Sequence, residues 1–255
     1  MNSPLDKGSF IKTLQNGQVT YGIFAGLAAT MAAEVAAASG VDWVLVDLEH
    51  GAGGEEQVSP TVVATGAYGV PTLVRIEAAE RIRIGRALDA GVAGIMVPRL
   101  ESAAEVEKVV RHFSYPPLGD RGVASYNRAA RWGLDPEALL PVKMAATIIQ
   151  IETLGALAEV DQIANIDGVD LLFVGPLDLS YALGVAREFQ HELFIAALER
   201  VLAAAKAAGK PAGILAANAT AAKRFTDMGF SFIALSSDSV LLSQAIIETL
   251  EKAKK

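Results

Sequence analysis

The sequence predicts an α/β fold, a closed (β/α)8 barrel of the TIM type, on three observations. Short runs rich in Val, Ile and Leu recur along its 255 residues. Ala-rich segments with a helical apolar period separate them. The runs are apolar on both faces, as strands in a parallel sheet covered by helices should be. Eight such units favour a closed barrel over an open doubly wound sheet.

In chain order the strand candidates are Val19–Ala25, Trp43–Asp47, Thr72–Ile76, Gly94–Pro98, Ala146–Ile151, Leu171–Val174, Ala212–Leu215 and Phe232–Leu235. A helix is expected over Ala29–Ser39 after the first. Another is expected over Ser102–Phe113 after the fourth, with Ser102 as N-cap and Glu105 as its capping-box partner. Leu193–Ala208 should stop at Gly209, a C-cap residue just before the seventh strand. One long excursion, Ser114 to Pro141, separates the fourth and fifth strands. Connections of that length are usually functional, and it is expected to leave a C-terminal strand end, where barrel active sites lie. No linker or composition break divides the chain, so residues 1–255 read as one barrel domain.

The totals agree. A 52% apolar and 20% charged composition suits a large core wrapped by helices. A net charge of −7 offers no basic surface for nucleic acid or an anionic membrane. The absence of cysteine excludes disulfides, thiolate catalysis and cysteine-bound zinc, and fits the cytoplasm. Residues 1–7 lack the basic-then-apolar pattern of a signal peptide, and the Ala-rich stretch from Gly22 to Gly40 is too short and too broken by Glu34 to span a bilayer.

Imine-forming barrel aldolases need a lysine near a strand's C-terminal end. Here Lys143 and Lys210 precede the fifth and seventh strands and so face the other way. The turns Ala216-Ala217-Asn218 and Ser236-Ser237-Asp238 lack the glycines of a barrel phosphate site, which disfavours a phosphorylated substrate.

What the strand ends do carry is charge. Glu152 and Asp178 follow adjacent strands, beside Gln150 and the turn Gly175-Pro176. Two carboxylates without a cysteine partner suit a hard divalent cation such as Mg2+, Mn2+ or Co2+. The same positions also suit helix-capping acids. His50, one of three histidines, follows a strand carrying Asp47 and Glu49, the place for a general base or for a hydrogen-bonded strand-end histidine. Arg75 closes the third strand, where it would bind an oxyanion or pair with Asp47 or Glu77. Asp89 alone reads as a helix-end acid able to orient a histidine.

Together these segments resemble the HpcH/HpaI class II pyruvate aldolases, the 4-hydroxy-2-oxoheptanedioate aldolases. The matching stretches are Gly22-Ile23-Phe24, Asp42 to His50, Leu73-Val74-Arg75, Leu88-Asp89-Ala90-Gly91 and Val97-Pro98. They continue through Pro116 to Gly122, Arg131-Trp132, Gln150-Ile151-Glu152, Val174 to Leu179 and Ala212 to Leu215. The resemblance implies a metal-dependent lyase that cleaves a 4-hydroxy-2-oxo acid to pyruvate, or a relative such as hydroxypyruvate, plus an aldehyde. It implies His50 as base, Asp89 reaching it from a neighbouring subunit, and Arg75 on the enolate. It further implies that Glu152 and Asp178 hold the metal, and that Gln150, Gly175, Pro176, Leu177 and Asp178 contact the substrate. The last helix would pack on a partner barrel in a homohexamer. Phe24 stands where relatives often have tryptophan, and Leu177 where they often have alanine. Two alternatives stand beside this reading: an acyl-CoA lyase of the malyl/citryl-CoA type, which would draw on Arg121, Arg128 and Arg131 for the CoA phosphates, and a non-catalytic oxo-acid-binding barrel.

Overall fold

The computed structural model describes residues 9–140 and 145–255. The expectations for the N-terminal segment and for Lys143 fall outside that range. In order the elements are α1 (Ser9–Gln15), β1 (Thr20–Ala25), α2 (Thr30–Ala38), β2 (Trp43–Asp47), α3 (Val58–Gly66), β3 (Thr72–Arg75), α4 (Arg81–Asp89), β4 (Gly94–Val97) and α5 (Ala103–Arg111). There follow β5 (Ala146–Ile151), α6 (Leu154–Ala158), α7 (Val160–Asn165), β6 (Leu171–Val174), α8 (Pro176–Ala182), α9 (Glu192–Ala207), β7 (Ala212–Ala216), α10 (Ala219–Met228), β8 (Phe232–Ser237) and α11 (Asp238–Ala253). The strands pair in sequence order, all parallel, and β8 closes onto β1. This is the predicted (β/α)8 barrel.

Alternation along each strand splits the core in two. Trp43, Leu45, Leu73, Met96, Ala146, Ile148, Leu171, Phe173, Phe232 and Ala234 fill the interior, and Phe10 and Leu14 of α1 pack onto that same cluster. Val46, Val74, Ile95, Ile149, Ile151 and Val174 face outward onto the helices. The same period then decides what the interior meets at its C-terminal rim. Counting in twos from Trp43 gives Asp47, from Leu73 gives Arg75, and from Ala146 gives Gln150 and Glu152. Apolar residues fill the barrel and the polar ones arrive only where it opens.

Two expectations change. The long excursion after Ser114 leaves α5 and enters β5, so it lies at the N-terminal strand ends, opposite the rim where it was expected. Its contacts agree, since Ala129 N–H donates to the Asp89 carbonyl at the end of α4 (3.2 Å). The fourth crossover spends its helix first and its long loop afterwards. The capping box of α5 is also only half formed. Ser102 Oγ accepts from Glu105 N–H (3.3 Å), but Glu105 Oε2 accepts from Glu101 N–H (2.7 Å) rather than from Ser102. Among the described residues no helix is long and apolar enough to cross a membrane.

Candidate active site

The β2–β3 register sets Asp47 beside Arg75, both pointing into the barrel mouth. Arg75 Nε donates to Asp47 Oδ1 (2.8 Å) and Nη2 to Oδ2 (2.7 Å), a planar two-point pair, while Nη1 lies 3.0 Å from Glu49 Oε2. Burial opposes the guanidinium's charge, yet the bond to Asp47 and the field of Asp47, Glu49 and Glu152 outweigh it and raise its pKa. Its face lies over the Phe24 ring, 5.1 Å from the centroid. Of five guanidinium N–H donors, the hydrogen bonds to Asp47 occupy two, while the Nη1 contact with Glu49 is an ion pair rather than a hydrogen bond.

Asp47 also builds the turn that carries the histidine. Its Oδ1 accepts from the backbone N–H groups of Glu49 (3.1 Å) and His50 (3.3 Å). His50 is thereby held at the rim with its side chain 66% exposed and Nε2 3.9 Å from Glu49 Oε2. Glu49 has a raised pKa, owing first to burial and then to Asp47 and Asp178, against the lowering fields of Arg75 and His50.

Across the mouth, Glu152 is 1% exposed. Its Oε1 accepts from Arg99 N–H (2.9 Å) and its Oε2 from Gln150 Nε2. Burial pushes its carboxyl up to about 7; the Arg99 bond and Arg75 work the other way, and Asp178 and Glu49 add to the rise. Asp178, in the first turn of α8, is 41% exposed, and Arg99 Nη1 lies 3.6 Å from its Oδ1. Gly175 lets α8 approach: a β-carbon there would stand 2.4 Å from Glu152 Oε2 and 2.7 Å from Gln150 Nε2. Gln150 Oε1 is buried with no hydrogen-bond partner. Leu177 is half-exposed at the same lip.

The rim therefore gathers His50, Arg75, Gln150, Glu152, Gly175, Leu177 and Asp178. Asp89 is not among them. It ends α4 at the opposite rim, where Arg121 Nη2 holds its Oδ1 at 2.6 Å. Of the pairings open to Arg75, the structure realises Asp47, while Glu77 pairs with Arg83 (3.1 Å). Three members of the cluster were not assigned site roles from sequence: Asp47, Glu49 and Arg99. Inward alternation from Trp43 marks Asp47, and a charge directly after Val97-Pro98 marks Arg99. Among the described residues no lysine stands at a strand end or in the turn after it; Lys210 lies at the opposite end, with Nζ on the Ile166 carbonyl (2.8 Å). Nor do three or more His, Cys, Asp or Glu among them form a closed metal cage. The donors at the mouth are carboxylate and amide oxygens, and they carry more negative than positive charge.

Comparison with known proteins agrees with this geometry. A family model described as HpcH/HpaI aldolase/citrate lyase matches residues 20–245. A Shigella flexneri protein named 4-hydroxy-2-oxo-heptane-1,7-dioate aldolase is 36% identical over 241 residues, 94% of this chain and 90% of that one. The crystal structure of an HpcH/HpaI aldolase/citrate lyase family protein from Burkholderia cenocepacia J2315 superposes with a TM-score of 0.92 at 34% identity, covering 97% of this chain and all of the other (100%). That of the citrate synthase SbnG superposes with a TM-score of 0.84 at 26% identity, over 96% of each chain.

Proposed function

The chain belongs to the HpcH/HpaI aldolase/citrate lyase family, and from that premise we propose that it is a class II aldolase cleaving a 4-hydroxy-2-oxo acid to pyruvate, or a related 2-oxo acid, and an aldehyde. The observation that carries this is the convergence at one rim of a buried carboxylate, a second carboxylate beside it, an anchored arginine and an exposed histidine.

The residues fit a divalent cation. Burial, and then Asp178 and Glu49, raise the pKa of Glu152, and the oxygen of Gln150 beside it is buried without a hydrogen-bond partner. Glu152 and Asp178 would hold the ion, which would supply Lewis-acid polarisation of the carboxylate and ketone oxygens of a 2-oxo acid. His50 takes the proton from the C4 hydroxyl as the C3–C4 bond breaks. The bond's electron pair passes to C2 and its oxygen, giving pyruvate enolate and the aldehyde. The N–H groups of Arg75 not bonded to Asp47 meet the enolate charge, and protonation at C3 releases pyruvate. Gln150 and the backbone from Gly175 to Leu177 orient the 2-oxo acid. Asp47 fixes both Arg75 and the His50 turn.

The thioester-lyase alternative is weakened by the structure. Arg121 is buried against Asp89 at the far rim, and Arg128 rides over Trp132 on the same loop, so neither offers a track to the mouth. The half-exposed apolar face of α11 and α2 supports a homo-oligomer, of six copies by family resemblance, in which Asp89 of a second copy would approach His50. The cysteine-free composition supports a cytoplasmic location, and the match over residues 20–245 supports one domain.

The deciding experiment is hydrogen exchange at pyruvate C3 in D2O, followed by NMR, on enzyme stripped with EDTA and then given Mg2+ or Mn2+. Exchange that appears only with metal supports the reading without knowledge of the aldehyde. A folded protein showing no exchange with any cation overturns pyruvate as the nucleophile.

A further inference from the structure

The start of α11 reaches the turn of His50 by a route the reaction just described does not use. β8 runs in register with β1 as far as Ala234, which faces Gly22, but Phe24 then faces Ser237 rather than Ser236. Leu235 and Ser236 thus stand opposite Ile23 alone, a β-bulge. Ser236 within it has a φ of 60°, in the left-handed region that non-glycine residues seldom occupy. A bulge re-aims the end of a strand, and this one carries Asp238 over the end of β1. There Asp238 Oδ1 accepts from Gly26 N–H (2.9 Å) and Oδ2 from Leu27 N–H (3.2 Å). The Gly26 carbonyl in turn accepts from Ala52 N–H (2.8 Å), two residues past His50. The strip after the histidine reads Gly51-Ala52-Gly53-Gly54, and a β-carbon on Gly53 would stand 2.6 Å from that of Ala28. The two turns therefore meet with almost no side chain between them. The His50 ring is exposed and its Nε2 is 3.9 Å from Glu49 Oε2, beyond hydrogen-bond reach, so its position follows that of its backbone.

Resting on the aldolase reading, we infer that Asp238 is a positioning residue for His50: it clamps the β1 turn to the start of α11, and the β1 turn seats the strip that carries the histidine. Asp47 holds that strip from inside the barrel, through His50 N–H (3.3 Å), and Gly26 holds it from outside, through Ala52 N–H. A carboxylate suits the outer clamp because its charge strengthens bonds to backbone N–H groups. Without it the Gly26 and Leu27 N–H groups turn to water, and the outer hold loosens while the inner one stays. Gln150, Glu152 and Asp178 stand across the mouth, on and after β5 and in α8, and among the described residues share no hydrogen bond with this clamp. The clamp therefore bears on the group that moves the proton and not on the residues that would hold the cation.

The test compares Mn2+-loaded wild type, Asp238→Ala and Asp238→Asn in the cleavage of 4-hydroxy-2-oxopentanoate to pyruvate and acetaldehyde. Single-turnover rates keep product release from masking the proton transfer. Asp238→Ala should slow cleavage about 10- to 100-fold, the cost of a base displaced by about 1 Å. Its KM, its Mn2+ affinity and its calorimetric affinity for oxalate, a stand-in for the enolate, should stay near wild type. Asp238→Asn keeps one oxygen for Gly26 N–H and should recover part of the lost rate. An unchanged rate in Asp238→Ala overturns the inference. So does weakening of Mn2+ and oxalate in step with the rate, which would make the clamp a general support of the mouth. A smaller species on sedimentation assigns the loss to assembly and overturns it too. Thermal melts confirm that each variant is folded, and Asp238→Asn against wild type carries the comparison if Asp238→Ala is not. Pyruvate exchange in the wild type tests the aldolase reading by itself, so failure of that reading and failure of the Asp238 role are told apart.

Discussion

Asp47 is a single carboxylate whose Oδ1 holds three things at once: Arg75 Nε and the backbone N–H groups of Glu49 and His50. Replacing it with alanine leaves a buried guanidinium with Glu49 as its remaining ion-pair partner and loosens the histidine's turn. Asp47→Ala should lose about 3 kcal/mol of stability, read from denaturant melts, together with most turnover. His50→Ala tests a different link. The side chain is exposed and outside the carboxylate pair, so the variant should lose retro-aldol turnover while a Mn2+ titration gives nearly the wild-type affinity; unchanged turnover would remove His50 from the mechanism. Glu152 sets the pH dependence. Its folded pKa of about 7 lies above the ordinary 4.5, so between those values the folded chain binds more protons than the unfolded chain. The metal-free protein therefore loses stability from this group as pH rises through that window. A cation competes with the proton, so the rise in Tm on adding Mg2+ should be small below about pH 6 and full above about pH 8. A pH-independent rise would remove Glu152 as a ligand. Glu152, Asp178, His50 and Arg75 were legible because each ends an apolar run. Arg99 was not assigned a role, although its charge directly follows Val97-Pro98, because the left-handed backbone and outward side chain that set its place are not visible in sequence.

At the scale of elements, the βα turns do the positioning. β6 ends at Val174, Gly175 follows, and Pro176 opens α8 so that Asp178 falls in its first turn. Close approach of that turn to Glu152 and Gln150 depends on residue 175 having no β-carbon. Gly175→Ala should push Glu152 and Gln150 aside and weaken Mn2+ binding by about 10-fold or more, while melting near the wild type, since the change is local to the mouth. Unaltered Mn2+ affinity would show that α8 can retreat without cost to the site. The strands themselves were readable to within two residues, because Val, Ile and Leu on both faces distinguish a buried parallel strand from the helical periods around it. The crossover between β4 and β5 was misread for an equally physical reason. Its length is visible in sequence, but which side of α5 it occupies depends on where the helix starts. Ser102 placed that start correctly, as its N-cap bond to Glu105 shows, and it puts the long loop after the helix.

At the scale of the molecule, the last helix is out of keeping with the rest. α11 has no buried residue, although Leu241, Leu242, Ile246, Ile247 and Leu250 lie along it. Leu241 and Leu242 line a groove with Leu27, Met31 and Val35 of the β1–α2 connection and α2, and Met31 is 78% exposed. A contiguous apolar face of this kind on a chain with net charge −7 is the place to test for an interface. The helix is nevertheless anchored at its start. Asp238 accepts from Gly26 N–H (2.9 Å) and Leu27 N–H (3.2 Å), and Ser237 caps its first turn. It is thus held in place at the C-terminal rim with its apolar side presented outward. A second barrel seated there would bury that side and bring foreign residues close to His50. Ile247→Glu places a charge in the middle of the face without touching the barrel. Sedimentation should show wild type as an oligomer and the variant as a smaller species, with activity falling in step if a neighbour completes the site. A wild type that sediments as a single chain and still turns over would mean that one barrel carries all the chemistry and that Asp89 belongs only to its bond with Arg121.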